Sequence, residues 1–219
     1  MIEIRSSTVL PARRTDIDFT TADGHRLVGE VSLPLDGPPL GTVLFLHPLL
    51  TAGGFMDSHI IRKAAARLPA LASLAIVRFN FRGVGDSEGV YDEGRGETED
   101  LLQLVRQWPS DMPLVLAGFS FGAFVACQAV QALWPSARIQ KILLVGTAVT
   151  HFHAPPLPPD ALDRSLVLHG ETDDTVALSA VMDWARPQQL PVMVLPGTGH
   201  FFHGQLPLLK SLALRHLRA

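Results

Sequence analysis

Residues Leu114 to Phe124 read LVLAGFSFGAF. An apolar run suited to a buried strand meets Gly118. A serine then sits between two phenylalanines, and Gly122 leads into a run rich in alanine. Gly118-Phe119-Ser120-Phe121-Gly122 fits G-x-S-x-G, in which glycines flank a serine on a sharp strand-to-helix turn. Glycine suits those positions because strand and helix approach closely there and leave little room for a side chain. So short a pattern also arises by chance, and only its surroundings give it weight.

The surroundings start with composition. The chain has 219 residues, enough for one sizeable core and marginal for two, so residues 1–219 are expected to form a single domain. Hydrophobic residues make up 47% and charged residues 18%, the balance of a globular protein with an ample interior. With a formal net charge of -3 and no block rich in Lys or Arg, neither nucleic acid nor an anionic membrane is an expected partner. The lone Cys127 excludes an internal disulfide framework and suits a reducing compartment. The N-terminal stretch MIEIRSSTVLPARRTDID lacks the apolar core of a signal peptide, and a cytoplasmic location is expected. Met112 to Ala137 carries no charge and is long enough to span a bilayer, but Pro113, Gly118, Ser120, Gly122, Gln128 and Gln131 interrupt it. It reads as a strand followed by a helix in a covered sheet.

Along the chain, strand and helix patterns alternate. DIDFTTADGHRLVGEVSLP reads as a hairpin turning at Asp23-Gly24. TVLFLHP, LAIVRFNF, LVLAGF, KILLVGTAV, SLVLHG and VMVLPG read as short buried strands. Helices are expected over DSHIIRKAAARLPAL, with Asp57 or Ser58 as N-cap and the proline as its stop, and over GRGETEDLLQLVRQW, where Leu101, Leu104, Val105 and Trp108 share a face. GAFVACQAVQALW, DTVALSAVMDWA and QLPLLKSLALRHLRA complete the set, with Pro207 tolerated in a first turn. The pattern implies an α/β fold with a mostly parallel central sheet, helices on both faces and an N-terminal antiparallel hairpin. Ligands of such sheets bind beyond the carboxyl ends of the strands.

Those ends carry chemistry. His47-Pro48-Leu49 follows the first buried strand, RGVGDSEG the next, Ser120 the third, ETDD the SLVLHG strand and His200 the last. A serine, an acid and a histidine thus appear in the chain order of the α/β-hydrolase triad. LHPLLTAGG resembles the oxyanion loop of that superfamily and NFRGVGDSEG the loop after its fourth strand. GFSFG resembles its elbow, and HGETDDTV with GTGHFF its acid and histidine turns. The resemblance spans nearly the whole chain. It is nearest to the small lid-less branch allied to dienelactone hydrolases, although those use cysteine where this chain has Ser120.

The resemblance implies a serine hydrolase acting through an acyl-enzyme. A serine hydroxyl needs a base, which would be His200, and a carboxylate to orient and stabilise the imidazole. Asp173 fits the family's His-Gly-x-x-Asp-x-x-Val spacing better than Asp174, which is expected to cap the helix that follows. The oxyanion needs N–H donors. Phe121 supplies one, and because Pro48 has none, Leu49 supplies the other, with Leu50 next in line. His47 and His169 stand in the wrong order for the triad and are expected to be structural. Cys127 reads as a buried hydrophobe.

An apolar acyl pocket is expected from Leu49, Leu50, Phe119, Phe121, Phe152, Phe201 and Phe202. Arg82 stands near enough to leave an anionic substrate open. The proline-rich stretch THFHAPPLPPDALDR is too short to build a cap domain, so the site should be open. The histidines at 151 and 153 and at 200 and 203 lack the spacing of a zinc motif, and neither a metal nor an organic cofactor is expected. The glycines at 83, 85 and 89 miss the dinucleotide fingerprint. The expected partner is a small carboxylic ester. Thioesters are the nearest alternative, and a binding or scaffold protein that has lost turnover is the rival from another class. Oligomeric state is not legible.

Overall fold

The structure, a computed structural model, describes residues 9–218. The reading of the N-terminus as free of a signal-peptide core therefore falls partly outside the described residues. Among the described residues eight strands form one sheet: β1 (Arg13–Thr20), β2 (Arg26–Leu33), β3 (Thr42–Leu46), β4 (Ala75–Phe79), β5 (Leu114–Phe119), β6 (Ile139–Val145), β7 (Ser165–Gly170) and β8 (Val192–Leu195). Their spatial order is β1-β2-β4-β3-β5-β6-β7-β8. β2 runs against both β1 and β4, and the remaining pairings are parallel. The α-helices are α1 (His59–Ala65), α2 (Leu68–Ala72), α3 (Arg95–Gln107), α4 (Phe121–Leu133), α5 (Leu178–Ala185) and α6 (Leu206–Arg218).

Period-two alternation divides the strands between two cores. Leu44 and Leu46 of β3, Leu116 of β5 and Leu144 of β6 face α3, α4 and α5. Val43, Phe45, Val115, Ala117, Phe119, Leu143 and Val145 face α1, α2 and α6. The central strands are buried on both faces, which is why they read as unbroken apolar runs. Met112 to Ala137 resolves into β5 and α4, and among the described residues no helix is long and apolar enough to cross a membrane.

Several local expectations change. The ladder of the first hairpin closes at Thr20 opposite Arg26, so the turn is a five-residue loop from Thr21 to His25 rather than a tight turn at Asp23-Gly24. The Thr21 hydroxyl sits inside that loop, accepting the His25 N–H at 2.9 Å. Pro69 does not stop a long helix. The helix breaks at Ala66 and Arg67, and Pro69 lies in the first turn of α2, where its missing N–H costs nothing. Neither Asp57 nor Ser58 caps α1 through its side chain: Asp57 pairs with Arg78, and the Ser58 hydroxyl accepts the Phe55 N–H. At α3, Glu97 reaches back to the Gly94 N–H at 2.8 Å.

Arg82 is also placed differently from the expectation that left it near the substrate. It forms a two-pronged pair with the fully buried Asp100 of α3 at 2.7 and 2.5 Å, and Asp23 stands 3.3 Å away. Its hydrogen bonds to the Asp100 carboxylate raise the Arg82 pKa further. Breaking one side of such a pair strands a buried charge. Asp100→Ala is expected to destabilise the fold by about 3 kcal/mol, read as a drop in the urea midpoint. An unchanged midpoint would refute a structural role for the pair.

Candidate active site

The site is built on the turn between β5 and α4. Ser120 has φ 56° and ψ -115°, a conformation that L-residues avoid. The two glycines explain how the turn closes. A Cβ on Gly118 would lie 2.2 Å from the Gly122 carbonyl oxygen, and one on Gly122 would lie 2.3 Å from that of Leu46. Both are collisions with backbone, so glycine is required at each position. The β3 and β6 strands flank this turn in register, with Leu46 beside Gly118 and Phe119 beside Val145.

The turn aims the Ser120 hydroxyl at the loop after β8. Ser120 Oγ lies 3.0 Å from His200 Nε2, and His200 Nδ1 lies 2.7 Å from Asp173 Oδ2. All three residues are buried. The second carboxylate oxygen of Asp173 accepts the N–H groups of Thr175 at 2.9 Å and Val176 at 2.7 Å. Burial pushes this carboxyl upward, but the hydrogen bonds from His200 and Val176 and the nearby histidines outweigh it, leaving the pKa below its usual value. Asp173 is thereby held ionised with one oxygen fixed to the loop and the other free for the imidazole. The ring of Phe119 lies along His200 with centroids 5.0 Å apart.

Asp174 is exposed and lies apart from this row. It does not cap α5 as expected, because that helix starts at Leu178 and its N-cap position is Ala177. His169 is wholly buried beside Asp173, its Nε2 3.6 Å from Asp173 Oδ2 and 2.9 Å from the Val176 carbonyl. Burial lowers its pKa and favours the neutral ring. Its Nδ1 has no hydrogen-bond partner among the described residues. His47 ties two loops together: Nδ1 donates to the Pro48 carbonyl at 2.7 Å, and Nε2 accepts the Phe81 N–H at 3.0 Å. Burial pushes its pKa down to about 4, so the ring stays neutral and keeps both roles near neutrality. Cys127 is buried within α4, with its thiol pushed up to about 12 by desolvation.

The row opens into a cavity of about 480 Å³. Leu49 and Phe121 both border it, and among the described residues neither backbone N–H donates to another group. The loop carrying Leu49 is tightly wound, with the Gly54 and Ala52 N–H groups both bonded to the Leu49 carbonyl. Phe119, Phe152 and Phe201 line the cavity as expected, whereas Leu50 and Phe202 do not. Leu50 lies in a short 3-10 turn and packs toward the core behind the loop. Phe202 has φ 52°, which turns it away from Phe201 and buries it completely in the core on the α1, α2 and α6 side. The stretch after β6 contributes His151 and Phe152 to the wall. It is anchored by stacking of Phe152 on Phe124, centroids 4.8 Å apart, and by the Trp184 indole N–H on the Ala154 carbonyl at 3.1 Å.

Sequence reasoning missed the far wall: Ser58, His59 and Ile60 from the start of α1, and Thr175 and Val176 after the acid. Val176 was visible as part of HGETDDTV. The α1 residues gave no signal, because only the path of the preceding loop carries them to the site.

This fold has close counterparts. A lid-less α/β serine hydrolase from Xanthomonas campestris, XC6422, superposes with a TM-score of 0.81 at 34% identity, covering 96% of each chain. The chain belongs to the lid-less α/β serine hydrolases. An α/β serine hydrolase homologue from Coxiella burnetii matches at 29% identity and TM-score 0.74, over 93% of this chain and 97% of that one. The Rickettsia prowazekii protein RP471 is 30% identical over 75% of this chain and 72% of its own. No family model matches the chain. The lid-less family assignment accords with the short link between β6 and β7, and the observed sheet, with β2 reversed between β1 and β4, is the fold expected from the resemblance.

Proposed function

We propose that this hydrolase is a carboxylesterase, that its 219 residues work as one domain, and that Ser120, His200 and Asp173 are its catalytic triad. The observation that carries this reading is the continuous row from Ser120 Oγ through His200 to Asp173 Oδ2, with steps of 3.0 and 2.7 Å, at the floor of an apolar cavity. Ser120 Oγ attacks the ester carbonyl while its proton passes to His200 Nε2. Asp173 accepts the Nδ1–H, which leaves Nε2 free to take that proton and stabilises the resulting imidazolium. The oxyanion is received by the N–H groups of Phe121 and Leu49, and His47 holds the Leu49 loop through Pro48. His200 then returns its proton to the departing alkoxide, leaving the acyl group on Ser120. Water repeats the cycle to release the acid.

Leu49, Phe119, Phe152 and Phe201 favour an apolar substrate portion, and among the described residues no Arg or Lys lines the cavity. Hydrolysis of p-nitrophenyl esters of increasing acyl length tests the reading. The expected result is a burst of about one nitrophenolate per chain followed by steady turnover. A burst without turnover would favour a non-catalytic binding protein. Turnover confined to acyl thioesters would move the assignment to a thioesterase.

A further inference from the structure

A second cavity of about 180 Å³ lies against the α1 wall of the first. Phe45 of β3, Leu143 and Val145 of β6, Leu68 of α2, and Leu206 and Ala213 of α6 are among its walls. Val145 directly precedes Gly146, where an added Cβ would stand 3.2 Å from His200 Cε1. Among the described residues, Ile60 is the one that lines both cavities. It is 7% exposed and packs with the core formed by α1, α2 and α6. Its side chain therefore borders both spaces.

We propose that Ile60 sets the length of linear alkyl chain this protein accepts. A chain lying along Phe119 toward α1 ends at Ile60, and the second cavity is the space it would fill if that side chain were removed. The chemistry of the walls identifies the occupant. Phe45, Leu68, Leu143, Val145, Leu206 and Ala213 give it alkyl and aromatic walls, although Lys63, Arg67 and Lys210 also line it, and since a space of about 150 Å³ holds a benzene ring, about six to eight carbons fit here by volume. Each methylene moved from water into such a space strengthens binding roughly threefold to fourfold.

The inference concerns the substrate of the esterase reading, but binding alone can test it. n-Alkanols from butanol to dodecanol are titrated calorimetrically into the wild type, Ile60→Ala, Ala213→Trp and the double variant, with p-nitrophenyl acyl esters and n-alkyl acetates run in parallel. In the wild type, affinity rises with each methylene and then levels off. In Ile60→Ala the rise continues, and dodecanol binds at least tenfold tighter than to the wild type. Ala213→Trp, which fills the second cavity, leaves the wild-type break in place but restores it in the Ile60→Ala background. The acyl or the alkyl series shows the same displacement in kcat/KM, according to which portion of the ester faces α1. Ile60→Val should move the break in the same direction by less, which guards against a poorly folded alanine variant. A break at the same length in wild type and both Ile60 variants overturns the proposal, as does a longer limit that Ala213→Trp fails to reverse. If no ester is turned over while the alkanol break still moves, the esterase reading falls and the role of Ile60 stands.

Discussion

Ser120→Ala is expected to lower kcat by about 10⁵-fold on p-nitrophenyl esters while leaving the protein folded. The size follows from the proposed mechanism, in which the reaction depends on one oxygen. Without it, His200 and Asp173 have nothing to activate, and what remains is binding and the N–H donors, which alone give modest acceleration over water. The fold should barely notice. The Ser120 hydroxyl contributes one hydrogen bond, to His200, and the serine backbone is already strained at φ 56° and ψ -115°. Alanine keeps that strain. Ser120→Gly removes it, and should be more stable than the alanine variant by about 1 kcal/mol. The two variants should therefore be equally inactive but melt at different temperatures. Retained turnover in either one would sink the assignment of the nucleophile. Equal melting temperatures would show that the elbow conformation costs the fold little.

The residues of that row were legible in the sequence because each stands where a strand pattern ends, and strand ends are fixed by the sheet. Glycines mark the elbow because they remove Cβ atoms from backbone contacts, a constraint set within a few residues. The cavity wall obeys other rules. Phe201 and Phe202 are neighbours of identical chemistry, yet one borders the cavity and the other is buried beneath it, because a left-handed residue at 202 turns the chain. No periodicity announces such a turn in a loop. Leu50 was assigned to the pocket by adjacency to Leu49, and a single 3-10 turn redirects it. Pro69 illustrates the same limit in a helix. A proline marks both a stop and a permitted first turn, and only the packing of Leu68 into the core decides for the second. Arg82 looked available because its partner Asp100 lies on a helix whose docking brings the two together.

Asp173→Asn should cost about 10⁴-fold in kcat, against less than twofold for Asp174→Asn, since the corresponding change in a serine-protease triad has about that effect. The reason is a proton's position rather than a lost contact. In the native site one Asp173 oxygen takes the Thr175 and Val176 N–H groups and the other takes the His200 Nδ1–H. Asparagine can satisfy the loop with its carbonyl oxygen, and its NH₂ then faces His200. That arrangement makes Nδ1 an acceptor and moves the imidazole proton to Nε2, where it blocks transfer from Ser120. The loop is preserved, so thermal stability should fall only modestly while chemistry stops. Among the described residues Asp174 accepts a side-chain hydrogen bond only from the Thr175 hydroxyl, at 3.5 Å, and it is solvent-exposed. Side-by-side kcat/KM values therefore separate two adjacent carboxylates that the sequence alone could only rank. Comparable losses in both variants would mean that the acid turn as a whole, rather than Asp173 Oδ2, supports His200. A large loss at Asp174 with little at Asp173 would transfer the role to its neighbour and require the loop to rearrange when substrate binds.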